Sequence, residues 1–282
     1  MNIGTRTITI LALLLAVLTL ASSARAQRAI PDEFLAQPLA LVLPDRSAGT
    51  GFFVNGARGQ YLVTAKHVLY AQGQPQASVN VTGYGVDQKD STPFQMVVDL
   101  NDLARRGLVI ADKSDDIALV MVGVVDKDTP PGLWKRLPGG TLVSVPRLPV
   151  PGVSPQLIKR FDEVLISNDV LIFGYPTSLG LAPQLDHARP LLRSGIVAGK
   201  NEQNKTIIID CPAYRGNSGG PVVQIQTYAD RRGLLRVFTF IGVVTQFVPA
   251  AVVGNTLINS GYTVVVPMDR VLETVERLEK KP

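Results

Sequence analysis

With 282 residues, 46% hydrophobic and 18% charged, the chain has material for a sizeable core, as one large or two small domains, which excludes a disordered or low-complexity protein. A formal net charge of +5, with no Lys/Arg cluster interleaved with aromatics, leaves no footprint for nucleic acid. The single cysteine, Cys211, excludes an intramolecular disulfide, and the two histidines, the scattered acids and the lack of a Gly-rich phosphate loop point to neither a metal nor a cofactor.

In chain order, residues 1–26 read as a secretory signal peptide. Arg6 supplies a positive start, Ile8 to Leu20 an apolar core, and Ala24-Arg25-Ala26 a small-x-small cleavage site. The apolar run is short of the roughly 20 residues a spanning helix needs, so cleavage and no stable membrane anchor are expected. Loss of Arg6 and Arg25 leaves only a mild positive excess. Export without a disulfide fits a bacterial periplasmic or extracellular protein.

From Pro38 onward, short apolar or alternating runs are separated by turn residues, which reads as mostly β. Leu39 to Val42, Gly49 to Val54, Gln60 to Thr64, Val97 to Leu100, Leu108 to Ala111 and Ile117 to Val125 are the candidate strands of a first unit over residues 36–130, and Asn55-Gly56 signals a hairpin. From Asp126 to Pro155 proline and glycine accumulate, poor material for a sheet interior, so a connector is expected over residues 131–160. Strands return at Asp169 to Phe173, Gly195 to Ala198, Thr206 to Ile209, Val222 to Gln226, Leu235 to Gln246 and Tyr262 to Val266, a second unit over residues 161–267. Val271, Leu272, Val275 and Leu278 then recur at helical spacing in a terminal helix within residues 268–282. The fold class expected is all-β: two six-stranded antiparallel β-barrels packed together, with a C-terminal α-helix. The two halves show no internal repeat.

Chemistry concentrates in Arg215-Gly216-Asn217-Ser218-Gly219-Gly220-Pro221, which sets one serine among residues without bulk, where its backbone N–H can face a substrate. A serine hydroxyl is a weak nucleophile and needs a base held by a third group. His67, at the end of the strand-like run Tyr61-Leu62-Val63-Thr64, is placed to present an imidazole to a cleft. Ser114-Asp115-Asp116 precedes an apolar strand; of the two acids Asp116 is expected to be buried and to hold the imidazole, and Asp115 to be solvated or to cap the turn. His187 reads as a surface loop residue, Cys211 as a buried small residue and Trp134 as packing near the connector.

Thr64-Ala65-Lys66-His67, Asp116-Ile117-Ala118-Leu119 and Gly216-Asn217-Ser218-Gly219-Gly220-Pro221, in that order, resemble the three signature blocks of chymotrypsin-fold (trypsin-like) serine peptidases. Gly174-Tyr175-Pro176, Ser194-Gly195-Ile196-Val197, Asp210 and Val266-Pro267 are most similar to the bacterial HtrA-like branch, and a lone peptidase domain without a PDZ-type module is expected. The resemblance implies Ser218 as nucleophile, His67 as general base then acid, Asp116 as the group fixing the imidazole, and the backbone N–H groups of Gly216 and Ser218 as an oxyanion hole. It implies that Asn217 shapes the turn and that Thr245 buttresses the aspartate. The strand of Val244 and Thr245 would pair with an extended protein or peptide substrate. Neither a zymogen-type aspartate at Asn217 nor an Ile-Val-Gly-Gly start is present, and Cys211-Pro212-Ala213 offers no acid at the pocket base, so a small aliphatic side chain is expected before the scissile bond. The implied function is a secreted or periplasmic serine endopeptidase acting through an acyl-enzyme. The alternative is a catalytically silent or activator-dependent peptide-binding protein on the same fold. An esterase would share the chemistry but needs a strand–turn–helix around its serine, whereas Ser218 is followed by Pro221 and a strand.

Overall fold

The computed structural model describes residues 30–84, 93–124, 135–136, 140–144, 152–177, 184–186, 189–231, 233–253 and 256–280. The proposed signal peptide, His187 and Trp134 lie outside the described residues.

The first half contains helix α1 (Asp32–Leu35), strands β1 (Leu39–Val42), β2 (Ala48–Asn55) and β3 (Gly59–Thr64), the single turn α2 (Lys66–Leu69), and the small strands β4 (Tyr70–Ala71) and β5 (Gln74–Pro75). It continues with β6 (Ser78–Gly83), β7 (Phe94–Asp99), α3 (Leu100–Arg105), β8 (Val109–Ala111), β9 (Ala118–Val124), β10 (Lys135–Arg136) and β11 (Gly140–Ser144). β4 and β5 pair only with each other, and the other strands form a curled antiparallel sheet in the order β10-β9-β3-β2-β1-β6-β7-β11, with β8 also on β9; among the described residues it does not close. The hairpin expected at Asn55-Gly56 joins β2 to β3, and the Gly56 N–H donates to the Gly59 carbonyl at 2.8 Å.

The second half contains β12 (Asp169–Gly174), β13 (Leu191–Asn201), β14 (Thr206–Asp210), β15 (Pro221–Asp230), β16 (Gly233–Val253), β17 (Thr256–Pro267) and helix α4 (Met268–Glu279). Its six strands close into a barrel in the order β12-β13-β14-β17-β16-β15.

The two-sheet, all-β architecture with a terminal helix is therefore present, with three departures from the sequence expectation. Ser78-Val79-Asn80-Val81 alternates cleanly and forms β6, an unanticipated strand with Val79 and Val81 in the core. Leu100, expected to end a strand, starts α3, because the Asp99 carboxylate accepts the Asp102 N–H at 2.9 Å and caps a helix there. Inside the expected connector, β10 pairs with β9 and β11 with β7, so part of residues 131–160 belongs to the first sheet. Its Thr141-Leu142-Val143 is a β-favouring run between glycine- and proline-rich stretches.

Period-2 alternation sorts the side chains. Phe53, Leu62, Val81, Met96, Val98 and Val120 fill the interior of the first sheet, while Val170, Ile172, Val197, Ile209, Val222 and Val265 fill the barrel. Phe52 points the other way from Phe53, into the seam. There its ring stacks on Phe240 of β16 at 6.3 Å, and Phe34 of α1 stacks on Phe240 at 5.3 Å. β2 is buried along its length because both of its faces meet protein, and it is the strand that reaches the serine turn.

Candidate active site

β3 ends at Thr64, Ala65 is extended and fully buried, and one turn of α2 sets His67 at the rim of a cleft with its side chain half exposed. Opposite it runs the loop from Asp112 to Ile117, entering β9. The Lys66 N–H donates to the Asp116 carbonyl at 3.2 Å and the His67 N–H to Asp116 Oδ1 at 3.0 Å. His67 Nδ1 lies 2.6 Å from Asp116 Oδ2. Backbone and side chain of His67 thus grip one carboxylate, which aims the imidazole edge carrying Nε2 away from Asp116.

The loop is built on Asp112, which is buried. Its Oδ1 accepts from the Ser114 N–H at 2.9 Å, the Ser114 hydroxyl at 2.8 Å and the Asp115 N–H at 3.0 Å, and Arg277 of α4 donates to Oδ2. Burial by itself would raise this carboxyl, but these donors outweigh it and hold Asp112 far below the usual carboxylate range. Arg270 of α4 pairs with Asp115 at 3.1 Å. Asp116 is the acid that contacts His67, but its expected burial is reversed: the Asp115 side chain is 12% exposed beneath Arg270, whereas that of Asp116 is 37% exposed on the cleft. The reason is α4, which covers one side of the loop.

The serine turn spans Tyr214 to Gly220. The Asn217 N–H donates to the Tyr214 carbonyl at 2.9 Å and Gly216 has φ +96°, the combination of a type II turn, which needs a positive φ at its third residue. A Cβ on Gly216 would stand 2.1 Å from the Tyr175 carbonyl oxygen, so only glycine fits. Asn217 is buried and its Oδ1 accepts the Tyr214 N–H at 3.0 Å, bracing the turn from inside. Among the described residues the N–H groups of Gly216 and Ser218 have no acceptor. The Ser218 hydroxyl donates to the Thr245 carbonyl at 3.4 Å and not to His67.

His67, Asp116, Ser218, Ala213, Val244 and Thr245 all line one cleft of about 230 Å³. Two larger clefts, of about 350 and 290 Å³, contain neither His67 nor Ser218. Ala213 is buried and fixed: its N–H donates to Thr263 Oγ1 at 3.1 Å and its carbonyl accepts from Asn259 Nδ2 at 2.7 Å. The Thr245 hydroxyl donates to the Val264 carbonyl at 3.2 Å and does not buttress Asp116; it is turned into the β16–β17 ladder. Among the described residues Asp116 is the only acid on the cleft wall.

Tyr214, Arg215, Gln246 and Phe247 also line the cleft and were not singled out from sequence. They flank Gly216 and Thr245, so adjacency was the signal. Thr50, which bonds the serine turn, was missed as well; its mark in the sequence is a hydroxyl residue between two glycines, Gly49 and Gly51. Cys211 is buried off the cleft, as expected, and burial pushes its thiol up to about 11. Among the described residues no cluster of His, Cys, Asp or Glu is suited to hold a metal, and no helix is long and apolar enough to cross a membrane.

No curated protein matches this chain. Among solved structures it is similar to the HtrA-type protease AlgW with a tripeptide, at 18% identity and a TM-score of 0.49 over 87% of this chain and 60% of that one. It is also similar to a variant of AlgW with a tripeptide, at 17% identity and a TM-score of 0.49 over 89% of this chain and 63% of that one. The chain thus spans less than two thirds of the length of these structures. The trypsin-like peptidase domain matches residues 49–228, a span that runs from β2 into β15 and takes in His67, Asp116 and Ser218, and the chain belongs to that family.

Proposed function

We propose that this protein is a secreted or periplasmic serine endopeptidase in which Ser218, His67 and Asp116 form the catalytic triad. Membership of the trypsin-like peptidase domain family supports a serine protease-type hydrolase. The observation that carries the finer reading is the 2.6 Å contact of His67 Nδ1 with Asp116 Oδ2 in a cleft shared with Ser218.

In this reading Asp116 keeps the proton of His67 on Nδ1, leaving Nε2 free to accept the Ser218 proton as Oγ attacks the scissile carbonyl. The charge that develops on the carbonyl oxygen meets the N–H groups of Gly216 and Ser218, each such donor being worth about 3 kcal/mol in the transition state. His67 then protonates the leaving amine, and water enters by the same base to release the acyl group from Ser218. The substrate lies extended along β16 from Thr245 onward, since the N–H and carbonyl of Val244 are already bonded to Gly220 and Gly219, and Ala213 and Val244 favour a small aliphatic side chain before the cut. The leader over residues 1–26 supports export.

A second reading rests on one contact. The Ser218 hydroxyl bonds the Thr245 carbonyl instead of His67, which suits a peptide-binding protein that is silent or waits for an activator. Ser218→Ala separates the readings. The peptidase reading requires casein hydrolysis and fluorophosphonate labelling by the wild type, both lost in the variant. A wild-type protein that binds a peptide boronate tightly without a covalent adduct at Ser218 favours the second reading.

A further inference from the structure

A trans peptide is planar and its C=O and N–H point in opposite directions, so whatever holds a carbonyl also aims the N–H of the next residue. Four successive carbonyls of the serine turn, from Arg215 to Ser218, each have a holder. Arg215 O accepts from the Thr177 hydroxyl at 3.4 Å and Asn217 O from the Gly220 N–H at 2.9 Å, which orients the N–H groups of Gly216 and Ser218. The two peptides that alternate with these are both held by one residue of the other sheet. Gly216 O accepts from the Thr50 hydroxyl at 2.6 Å, and Ser218 O accepts from the Thr50 N–H at 2.8 Å.

Thr50 sits in β2 with no exposed surface. Its hydroxyl accepts the Tyr175 N–H at 3.0 Å while donating to Gly216, so its single proton is committed to the turn. Its carbonyl accepts the Thr64 hydroxyl at 2.7 Å, and Thr64 is the last residue of the strand that delivers His67. A Cβ on Gly219 would lie 2.0 Å from Thr64 Oγ1 and 2.1 Å from Thr50 O, which shows how closely the turn is pressed onto this pair.

We infer that Thr50 is a positioning residue: through its hydroxyl and N–H it sets the serine turn of the barrel in register with the His67 strand of the first sheet and keeps the N–H groups of Gly216 and Ser218 converged. The inference rests on the peptidase reading above. Thr50 touches neither substrate nor reacting atoms, so its effect falls on the transition state. Thr50→Val keeps the shape but leaves Gly216 O and the Tyr175 N–H without their partner. The oxyanion donors then lose alignment, while the β16 edge that binds the extended substrate is untouched.

The test is steady-state kinetics on a peptide substrate with thermal melts, for wild type, T50V, T50S and S218A. T50V is expected to lower kcat roughly 10- to 100-fold with KM within about threefold, and to slow fluorophosphonate labelling in parallel, whereas T50S, which keeps the hydroxyl, stays within about threefold of wild type. A folded T50V with wild-type kcat, or equal losses in T50V and T50S, overturns the role of the hydroxyl. If T50V does not fold, T50C carries the test. Its thiol is a weak donor, so kcat must fall without a matching rise in KM, and an unchanged kcat overturns the inference. An inactive S218A beside a fully active T50V refutes the positioning role alone; an S218A that keeps full activity removes the peptidase reading, and this inference falls with it.

Discussion

Arg277, on the C-terminal helix, forms an ion pair with Asp112, at the head of the loop that delivers Asp116 to His67. A helix at the far end of the sequence therefore braces the loop that carries one wall of the cleft. Arg270 adds a second brace through Asp115, and the helix docks by burying Val271, Val275 and Leu278.

Removing that brace tests its weight. Arg277→Ala leaves the buried Asp112 carboxylate short of a charged donor while its three donors from Ser114 and Asp115 remain, so a loss of roughly 1–3 kcal/mol is expected in urea unfolding. The Asp112 loop also loosens, so kcat on a peptide substrate should fall more than KM rises. A variant with unchanged unfolding midpoint and kcat would show that the helix merely covers the loop.

The same carboxylate gives stability a pH dependence of definite sign. Its hydrogen bonds outweigh burial and depress its folded pKa below the unfolded value of about 3.9, so between the two values the unfolded chain binds more protons. The contribution is fully present above about pH 4 and is lost as pH falls toward the folded value. Asp112→Asn cannot titrate, so it should be less stable than wild type at pH 7, with the gap narrowing as the pH drops below about 4. Equilibrium unfolding at a series of pH values checks this; a gap that widens in acid would contradict it.

Gly216→Ala should separate catalysis from folding. The residue must hold φ +96° with its Cα position pressed against the Tyr175 carbonyl, so a methyl group forces the turn open. A stability cost of about 1–3 kcal/mol accompanies, in the proposed peptidase mechanism, a fall in kcat of at least about 100-fold, because the Gly216 N–H proposed as an oxyanion donor is displaced. Kinetics beside a thermal melt provide the check.

Cys211 should be inert in the folded protein. Burial raises its thiol to about 11, so almost no thiolate is present at pH 8. A thiol reagent such as iodoacetamide is expected to leave the native protein unlabelled and to modify it once urea unfolds the barrel. Rapid native labelling would place Cys211 in a more open setting than the core of β13, β14 and β17.

Local patterns in the chain carried much of the fold. Short apolar runs bounded by turn residues made the strands around Phe52-Phe53, Leu62 and Ile207 to Ile209 legible, Asn55-Gly56 marked a hairpin, and helical spacing from Val271 to Leu278 marked α4, because each signal resides in neighbouring residues. Glycines around Ser218 pointed to a turn without bulk for the same reason. Strands β10 and β11 were hidden because β10 is only Lys135-Arg136, the proline- and glycine-rich surroundings of β11 outweighed its short β-favouring run, and the pairing that stabilises both lies on distant β9 and β7.

By itself, then, the sequence determined the β class, the terminal helix and which serine, histidine and aspartates were available for chemistry. Only the tertiary structure decided that Asp115 goes under Arg270 while the Asp116 carboxylate stays partly exposed on the cleft, that the Thr245 hydroxyl turns to Val264, and that Thr50 holds two carbonyls of the serine turn. Each of these depends on which remote surface closes over a side chain. Hydrogen-bond geometry and burial across 166 residues of separation, as between Thr50 and Gly216, leave no periodic trace in the chain.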